Sequence, residues 1–348
     1  MNDGRVHADP DGRWPALFIL GPTATGKTDL ALAVAERLPA ALISVDSALV
    51  YRGLDIGSAK PDRATLARHP HALIDIRDPA QPYSAADFRQ DALEAMMRAR
   101  SQGRLPVLVG GTMLYFSVLE RGIAKMPAAD PALRARLVAR AERDGYGTLH
   151  AELGGCDPEA ARRIHPNDPQ RLLRALEVFE LSGRPMSWWW KQAAADAAGM
   201  RCAFAPRQVA LVPGDRAALH ARIGARFDAM LEAGLIEEVR RLRGRGDLDP
   251  TLPALRAVGY RQVWSYLEGE CDLAEMRQRA LVATRGLLRR QLTWLRRYPG
   301  FEGLIDARTS VNESADGDGA LEWPSAVALE RILSSLNSIG PATIVVRS

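Results

Sequence analysis

The feature that most constrains this chain is a glycine-rich segment near its start, Gly21-Pro22-Thr23-Ala24-Thr25-Gly26-Lys27-Thr28. It has the G-x-x-x-x-G-K-T spacing of a phosphate-binding loop. An apolar run over residues 16–20 precedes it and predicts a buried strand, while the residues that follow carry apolar side chains at helical spacing. Backbone N–H groups and the dipole of the following helix would converge on phosphate oxygens. The segment therefore predicts phosphate binding, with Lys27 on an outer phosphate and the Thr28 hydroxyl on Mg²⁺.

Further apolar runs predict a sheet around this loop. They cover residues 41–45, 73–76, 106–109 and 207–212. Stretches with helical spacing separate most of them, and alternating strands and helices are typical of an α/β fold with a parallel sheet. We therefore predict a P-loop NTPase-like parallel-sheet core.

The strand pattern stops over residues 121–203. Three helices there begin with an Asp-Pro pair, at Asp130, Asp157 and Asp168. Aspartate as N-cap with proline at the first helical position is a strong start signal. This stretch predicts an all-helical insertion domain, so the core comprises residues 14–120 and 204–306, the second part ending in C-terminal helices.

The chain ends and the cysteines indicate the type of protein. Residues 1–13 are polar and predict a disordered N-terminus, and the polar, glycine-rich residues 307–348 predict a flexible tail. The three cysteines, Cys156, Cys202 and Cys271, are far apart, which argues against zinc and against a disulfide framework. No apolar run approaches the length of a membrane span. We expect a soluble cytoplasmic monomer with no membrane partner.

Asp46 is the first candidate for chemistry. Together with Ser47 it follows the second predicted strand, and strand-end residues of a parallel sheet face the ligand crevice. It could cap a helix, bind Mg²⁺ or act as a base. Ordinary NTP hydrolases place a further carboxylate after a later strand, but here that strand runs into Gly110-Gly111-Thr112. This absence argues against a motor-type ATPase.

Three groups of arginines indicate a nucleic-acid partner. Residues 277–298 contain many arginines and no acidic residue, and Gln170, Arg171 and Arg174 share one face of an insertion helix. The third group, residues 256–261, pairs two arginines with a tyrosine. Arginine binds phosphates bidentately and tyrosine can stack on a base. One such helix would be an ordinary solvated basic face, whereas three beside a phosphate-binding core favour RNA or DNA.

Arg222 and Arg226 lie one turn apart on a predicted helix that follows the last core strand. They could form a surface pair or a clamp on a polyphosphate. The sequence does not decide between these two interpretations.

The ordered motifs resemble those of the bacterial tRNA dimethylallyltransferases. They read GPTATGKTDLA, SVDSALVYRGLDIGSAKP, HALIDI, YSAADFRQDA, PVLVGGTMLYF, RIHPNDPQRLLRALEV, AVGYRQ and RQLTWLRR, and span roughly residues 15–300. The resemblance implies transfer of the dimethylallyl group of dimethylallyl diphosphate to N6 of the adenine on the 3′ side of the anticodon, in tRNAs reading codons that begin with U. It also implies a Mg²⁺ requirement and an insertion that binds the anticodon stem-loop.

The resemblance also implies roles for individual residues. Asp46 would accept the N6 proton, Thr112 would lie close to the chemistry, and Lys27 would stabilise the leaving diphosphate. Positions that match diphosphate binding are Gly21, Pro22, Thr23, Ala24, Thr25, Gly26, Lys27 and Thr28, to which we add Arg222. Positions that match tRNA contacts are Asp46, Ser47, Ala48, Leu49, Thr112, Arg134, Gln170, Arg171, Leu172, Leu173, Arg174, Arg256, Ala257, Val258, Gly259, Tyr260, Arg261, Arg289, Arg290, Gln291, Leu292, Thr293, Trp294, Leu295 and Arg296.

Three other functions would use part of the same motifs. An isopentenyltransferase acting on free AMP or ADP would need the loop and Asp46 but not the insertion. A small-molecule kinase would transfer phosphate from ATP and would not bind tRNA. An NTP-switched RNA-binding protein would not require Asp46.

Overall fold

The computed structural model describes residues 8–9, 11–124, 126–213, 215–298, 329–330, 332–334 and 343–347. Six strands form one parallel sheet in the order β3-β2-β4-β1-β5-β6. They are β1 Trp14–Leu20, β2 Ala40–Val45, β3 His71–Ala72, β4 Leu105–Gly110, β5 Phe204–Val212 and β6 Thr343–Arg347. Because all of these strand pairs are parallel, this is the predicted α/β fold of the P-loop NTPase type.

Thirteen helices have both ends among the described residues, and residues 329–330 and 332–334 are also helical. The thirteen are α1 Lys27–Arg37, α2 Arg63–Arg68, α3 Ala85–Ser101, α4 Met113–Arg121, α5 Pro131–Asp144, α6 Tyr146–Cys156, α7 Pro158–Arg163, α8 Pro169–Ser182, α9 Met186–Ala203, α10 Arg216–Glu232, α11 Leu235–Arg243, α12 Tyr260–Leu267 and α13 Leu273–Arg296. Among the described residues, no helix is both long and apolar enough to cross a membrane.

Side-chain caps fix several helix starts at the predicted residues. Asp130, Asp157 and Asp168 each accept N–H bonds from the first turn of α5, α7 and α8, with proline at the first helical position. Ser84 and Asp87 form a reciprocal capping box at the start of α3. These caps depend only on residues within one turn, which is why the sequence predicts them.

The chain packs as two units. One is Ser117–Arg201, and the other comprises the residues before and after it. The smaller unit corresponds to the predicted insertion over residues 121–203, but it begins inside α4 and ends inside α9, so its limits do not coincide with the predicted ones. It has a core of its own, in which Leu137, Leu153 and Leu176 are buried and against which Trp189 and Trp190 pack.

One core cluster of the larger unit lies between the sheet and α1. Leu17 and Val107 of the sheet pack with Leu30 and Val34 of the helix. The prediction of a flexible tail over residues 307–348 falls mostly outside the described residues. Its described parts are ordered: residues 343–347 form β6, which pairs with β5, and Leu329 and Ile332 are buried in this core.

The predicted strand at residues 73–76 is wrong. The strand is only His71–Ala72, because Leu73 and Asp75 have φ values of 67° and 57°, and a positive φ ends extended backbone. The chain turns here instead. A single bridge between Tyr51 and Arg77 resumes the pairing.

Candidate active site at the phosphate-binding loop

Three loops meet at the carboxyl ends of β1, β2 and β4. Leu20 and Val45 are both register partners of Gly110, so the segments that follow these strands start side by side. Gly110 makes this possible, because a Cβ at that position would lie 2.0 Å from the Val45 carbonyl oxygen. The phosphate-binding loop, Asp46 and Thr112 therefore leave the same edge of the sheet, as predicted from the strand pattern.

The phosphate-binding loop leads directly into α1. Gly26 has a left-handed φ of 78°, and Lys27 is the first residue of the helix. The Thr25 hydroxyl donates to the Pro22 carbonyl oxygen at 2.9 Å, and the Lys27 ammonium donates to the same oxygen at 2.5 Å. Among the described residues, no side chain caps this helix, so its first N–H groups suit an anion.

Asp46 lies at the end of β2 with its carboxylate oriented by the backbone. Its Oδ1 accepts from the N–H groups of Ala48, at 2.8 Å, and Leu49, at 3.4 Å. Burial raises the pKa of Asp46 above its ordinary value, although these bonds and the charges of Lys27 and Arg226 oppose the rise. Its conjugate base is therefore stronger than that of an exposed aspartate, which suits a proton acceptor.

Lys27 is a half-buried cation whose charge interacts with that of the Asp46 carboxylate. Burial lowers the pKa of Lys27 to about 8; the carboxylate of Asp46 opposes the fall and the charge of Arg226 adds to it. An anionic ligand would favour the charged form again. The site therefore combines a half-buried cation with a half-buried base.

Thr112 lies beside Asp46. Its hydroxyl oxygen accepts from the N–H of Ser47 at 3.2 Å, and its own N–H donates to the Val45 carbonyl oxygen at 3.3 Å. These bonds join the loop after β2 to the loop after β4. The half-buried Thr112 side chain is consequently held next to the carboxylate.

The structure separates the two arginines that the sequence left undecided. Burial lowers the pKa of Arg226, while the carboxylates of Asp46 and Asp29 oppose the fall. Arg226 of α10 therefore belongs to the charge cluster around Lys27. Arg222, one turn earlier, is exposed. These differences in exposure and in charge interactions make Arg226 the stronger candidate for a diphosphate clamp.

Tyr260 does not offer its ring to a base. It is completely buried, and its hydroxyl donates to Glu238 at 2.6 Å and accepts from the N–H of Ser58 at 3.1 Å. Its predicted stacking role is therefore wrong. Its neighbours Arg256 and Arg261 are exposed and remain candidates for RNA contact, whereas the intervening Ala257, Val258 and Gly259 are buried or half-buried.

Helix α13 presents a basic face. Arg289, Arg290, Arg296 and Arg297 are exposed, and none of them forms an ion pair with another described residue. Arg277 and Arg279, near the start of the helix, are instead paired with Asp228 and Glu275. Among the other predicted contact positions, Thr293 and Trp294 are exposed and Leu292 is half-buried. Leu295 is buried, so its side chain cannot contact RNA.

Gln291 was also predicted to contact tRNA, but it faces the protein interior. Its amide nitrogen donates to the Gly111 carbonyl oxygen at 2.9 Å, and its amide oxygen accepts from the N–H of Thr23 at 3.2 Å. Its side chain is therefore directed inward, and the tRNA contact of this segment stays a prediction. A signal was present in the sequence, because Gln291 falls on the same helical stripe as the buried Leu288 and Leu295.

Within the insertion, the predicted contact residues divide in the same way. Gln170 and Arg171 are exposed at the start of α8. The side chains of Leu172 and Leu173 are buried in the core of the unit, so the tRNA contact predicted for this segment would use its exposed residues. The difference follows from helix geometry, because a continuous segment necessarily places some residues on the inner face.

A buried acid that the sequence did not reveal binds Arg134 and Arg174, the other two arginines of the insertion that were predicted to contact tRNA. Glu177 accepts from Arg134 at 2.6 Å, from Arg174 at 2.8 Å and from the N–H of Asp130 at 3.0 Å. Burial alone would raise the pKa of Glu177, but these bonds outweigh it and hold the pKa below its ordinary value. The buried carboxylate of Glu177 therefore orients Arg134 and Arg174, and both arginine side chains remain partly exposed.

Magnesium donors at this site are few. The Thr28 hydroxyl is exposed in the first turn of α1, and Asp29 follows it. Among the described residues, no group of three or more His, Cys, Asp or Glu side chains is arranged to hold a metal ion. Hydroxyl and carboxylate oxygens suit a magnesium ion whose remaining ligands are substrate phosphates and water.

Comparisons with known proteins give a consistent result. Residues 49–298 match the family model described as IPP transferase. The tRNA dimethylallyltransferase of Thioalkalivibrio sulfidiphilus is 58% identical over 290 residues, which cover 83% of this chain and 89% of that protein. The crystal structure of a tRNA isopentenylpyrophosphate transferase from Bacillus halodurans is 37% identical, with a TM-score of 0.58 over 82% of this chain and 88% of that one. A eukaryotic dimethylallyltransferase acting on tRNA shares the fold, with a TM-score of 0.64 and 22% identity over 81% of this chain and 69% of that one.

Proposed function

The chain belongs to the IPP transferase family and prenylates tRNA by dimethylallyl transfer, and on this footing we propose that the donor is dimethylallyl diphosphate. The acceptor we propose is the exocyclic N6 of the adenine on the 3′ side of the anticodon, in tRNAs that read codons beginning with U. One observation carries this proposal. The half-buried carboxylate of Asp46 stands beside a phosphate-binding loop, within the electrostatic reach of Lys27 and Arg226.

The two halves of the site match the two halves of the reaction. The C–O bond of the donor breaks and its electron pair passes to the diphosphate, while a bond forms between the same carbon and N6. Lys27, Arg226 and the N–H groups at the start of α1 stabilise the charge that grows on the leaving group. The N6 proton passes to Asp46, a contribution of about 10²–10⁴ in rate for a positioned base.

Thr28 is the residue we propose for holding Mg²⁺, with Asp29 beside it. When bound, the ion would neutralise part of the diphosphate charge. Thr28 supplies an exposed hydroxyl at the helix N-terminus, which is where a substrate phosphate would lie. The diphosphate would complete the coordination.

The arginines of α13 and of the insertion support tRNA as the partner. On the larger unit, Arg289, Arg290 and Arg296 of α13 are exposed and lack an ion pair among the described residues. On the insertion, Arg171 is exposed and Arg134 is oriented by Glu177. Guanidinium groups in these settings suit phosphate contacts.

The test uses unmodified tRNA, radiolabelled dimethylallyl diphosphate and Mg²⁺, with AMP and ADP as competing acceptors. We expect label on N6 of the adenine beside the anticodon, and none on the free nucleotides. Asp46→Ala and Asp46→Asn should each lower turnover by ~10²-fold or more while tRNA affinity changes only modestly. Glu94→Gln, which neutralises an exposed acid on α3, is the matched control and should remain fully active.

Two outcomes would contradict the proposal. Labelling of AMP as efficient as that of tRNA would replace the acceptor. Turnover above about a tenth of wild type in Asp46→Asn would remove the carboxylate from the role of base.

A further inference from the structure

The side chain of Gln291 links two arms of the site, the phosphate-binding loop and the loop after β4. One amide group contacts the phosphate-binding loop through the N–H of Thr23 and the loop after β4 through the carbonyl of Gly111. The first arm would hold the donor diphosphate. The second continues into Thr112, which adjoins Asp46 through Ser47.

The surroundings of Gln291 show that this contact is closely packed. The residue is 9% exposed. A Cβ at position 111 would lie 2.6 Å from its amide nitrogen and 3.3 Å from the Gly21 carbonyl oxygen. Glycine at this position therefore allows the two loops and the amide to approach one another. A shorter or differently bonded side chain at position 291 could not keep both contacts.

Gln291 lies on the inner face of α13, directly after two residues of its basic face. Arg289 and Arg290, immediately before it, are exposed on the basic face, while Leu288 and Leu295 anchor the helix in the core. The helix is a rigid element, so a residue on its inner face is fixed relative to those on its outer face. Gln291 is the member of the predicted tRNA-contact segment that reaches the loops of the site.

We propose that Gln291 is a positioning residue that sets the spacing between the diphosphate loop and the Thr112–Asp46 arm. Prenyl transfer needs the donor carbon and N6 at near-attack distance, and displacement by about 1 Å can cost ~10²-fold in rate. Gln291 touches neither substrate in this scheme. Its effect on the rate comes from holding the two loops, and the inference rests on the function proposed above.

The principal variant is Gln291→Glu. It keeps the length of the side chain and the acceptor for the Thr23 N–H, but it replaces the donor to Gly111 with a second acceptor. Gln291→Asn keeps the amide but is one methylene too short to span both contacts. Gln278→Glu makes the same chemical change at an exposed position of the same helix and serves as control.

We expect single-turnover transfer at saturating substrates to fall by ~10–100-fold in Gln291→Glu and Gln291→Asn. The dissociation constants for tRNA and for inorganic pyrophosphate should stay within about threefold of wild type, and so should the KM for each substrate. A loss in rate without a loss in binding is the result that a merely structural role would not give. The melting temperature, measured in parallel, reports on folding.

Gly111→Ala tests the same contact from the other side and does not depend on the folding of a Gln291 variant. The added methyl should displace the amide and slow transfer. In the double variant with Gln291→Asn, the fold-loss in transfer rate should be smaller than the product of the two single fold-losses. Unimpaired transfer in Gln291→Glu and Gln291→Asn would overturn the inference, as would parallel losses of rate, both affinities and thermal stability. Absence of transfer in the wild type would instead reject the proposed function, and this inference with it.

Discussion

At the scale of single residues, the site is governed by two groups whose pKa values burial moves towards each other. Burial raises the pKa of Asp46 above its ordinary value and lowers the pKa of Lys27 to about 8. Between these two values the carboxylate is a base and the ammonium is charged. The two groups are therefore in the forms the reaction needs over the same interval of pH.

The pH profile of kcat/KM for dimethylallyl diphosphate should be bell-shaped. Activity falls on the acid side as Asp46 is protonated, and it falls on the alkaline side through about pH 8 as Lys27 loses its charge in the free enzyme. Lys27→Arg should move the alkaline limb far upward, because guanidinium stays protonated. Steady-state rates from pH 5 to pH 10 provide the measurement. An alkaline limb that stays in place in Lys27→Arg would assign it to another group.

The two arginines of α10 provide a matched pair at this scale. Arg226→Ala should reduce kcat/KM for the donor by ~10²-fold, because a cation aimed at the leaving group is lost. Arg222→Ala, one turn away and exposed, should change it by less than about threefold. Both are measured by varying the donor at saturating tRNA. Equal losses in the two variants would return Arg222 to the clamp.

At the scale of elements, α13 has one face in the core and one basic face in solvent. If Arg289, Arg290, Arg296 and Arg297 contact RNA phosphates, each alanine substitution should lower the slope of log K against log[salt] by roughly 0.7–0.9. We expect this for two or three of the four. Arg277→Ala and Arg279→Ala remove arginines that are already paired and should leave the slope unchanged. tRNA binding from about 50 to 200 mM salt is the measurement. Unchanged slopes in all four variants would leave tRNA binding to the insertion.

Elements were predictable where their determinants are local. The capping box of α3 and the Asp-Pro starts of α5, α7 and α8 lie within one turn, and the structure has them at the predicted residues. The loop, Asp46 and Thr112 were predictable as neighbours because strand ends in a parallel sheet must meet. The inward direction of Tyr260 was not, because its partner Glu238 lies elsewhere in the chain. For Gln291 the helical stripe it shares with Leu288 and Leu295 indicates the inward direction, but not the contact with Gly111, which is distant in the chain.

At the scale of the whole molecule, each of the two units has a core among the described residues. The insertion core is built from helices of residues 117–201 alone, and the other from the sheet with its flanking helices. The sequence predicted this division from the disappearance of strands. It did not predict that residues 343–347 add a sixth strand, because a short apolar segment acquires that role only by pairing with β5.

Leu176→Ala tests the independence of the two cores. This side chain is 1% exposed in the insertion core, and its truncation should cost ~2–5 kcal/mol. Hydrogen exchange should accelerate for amides of α5, α6 and α8 while those of β1 and β4 keep their protection. Val107→Ala, in the other core, should give the reverse pattern. Acceleration throughout the chain in both variants would show a single cooperative structure.

The pairing of β1 with both β4 and β5 has a consequence for synthesis. β1 ends at Leu20, but its partner β5 begins only at Phe204, after the whole insertion. While the ribosome makes the intervening residues, one edge of β1 has no native partner, and Gly21 lacks the Leu211 carbonyl against which it packs. Exposed strand edges are sites of misassembly during translation. The phosphate-binding loop is therefore among the first segments to be synthesised, yet its native surroundings are complete only after β5 has been made.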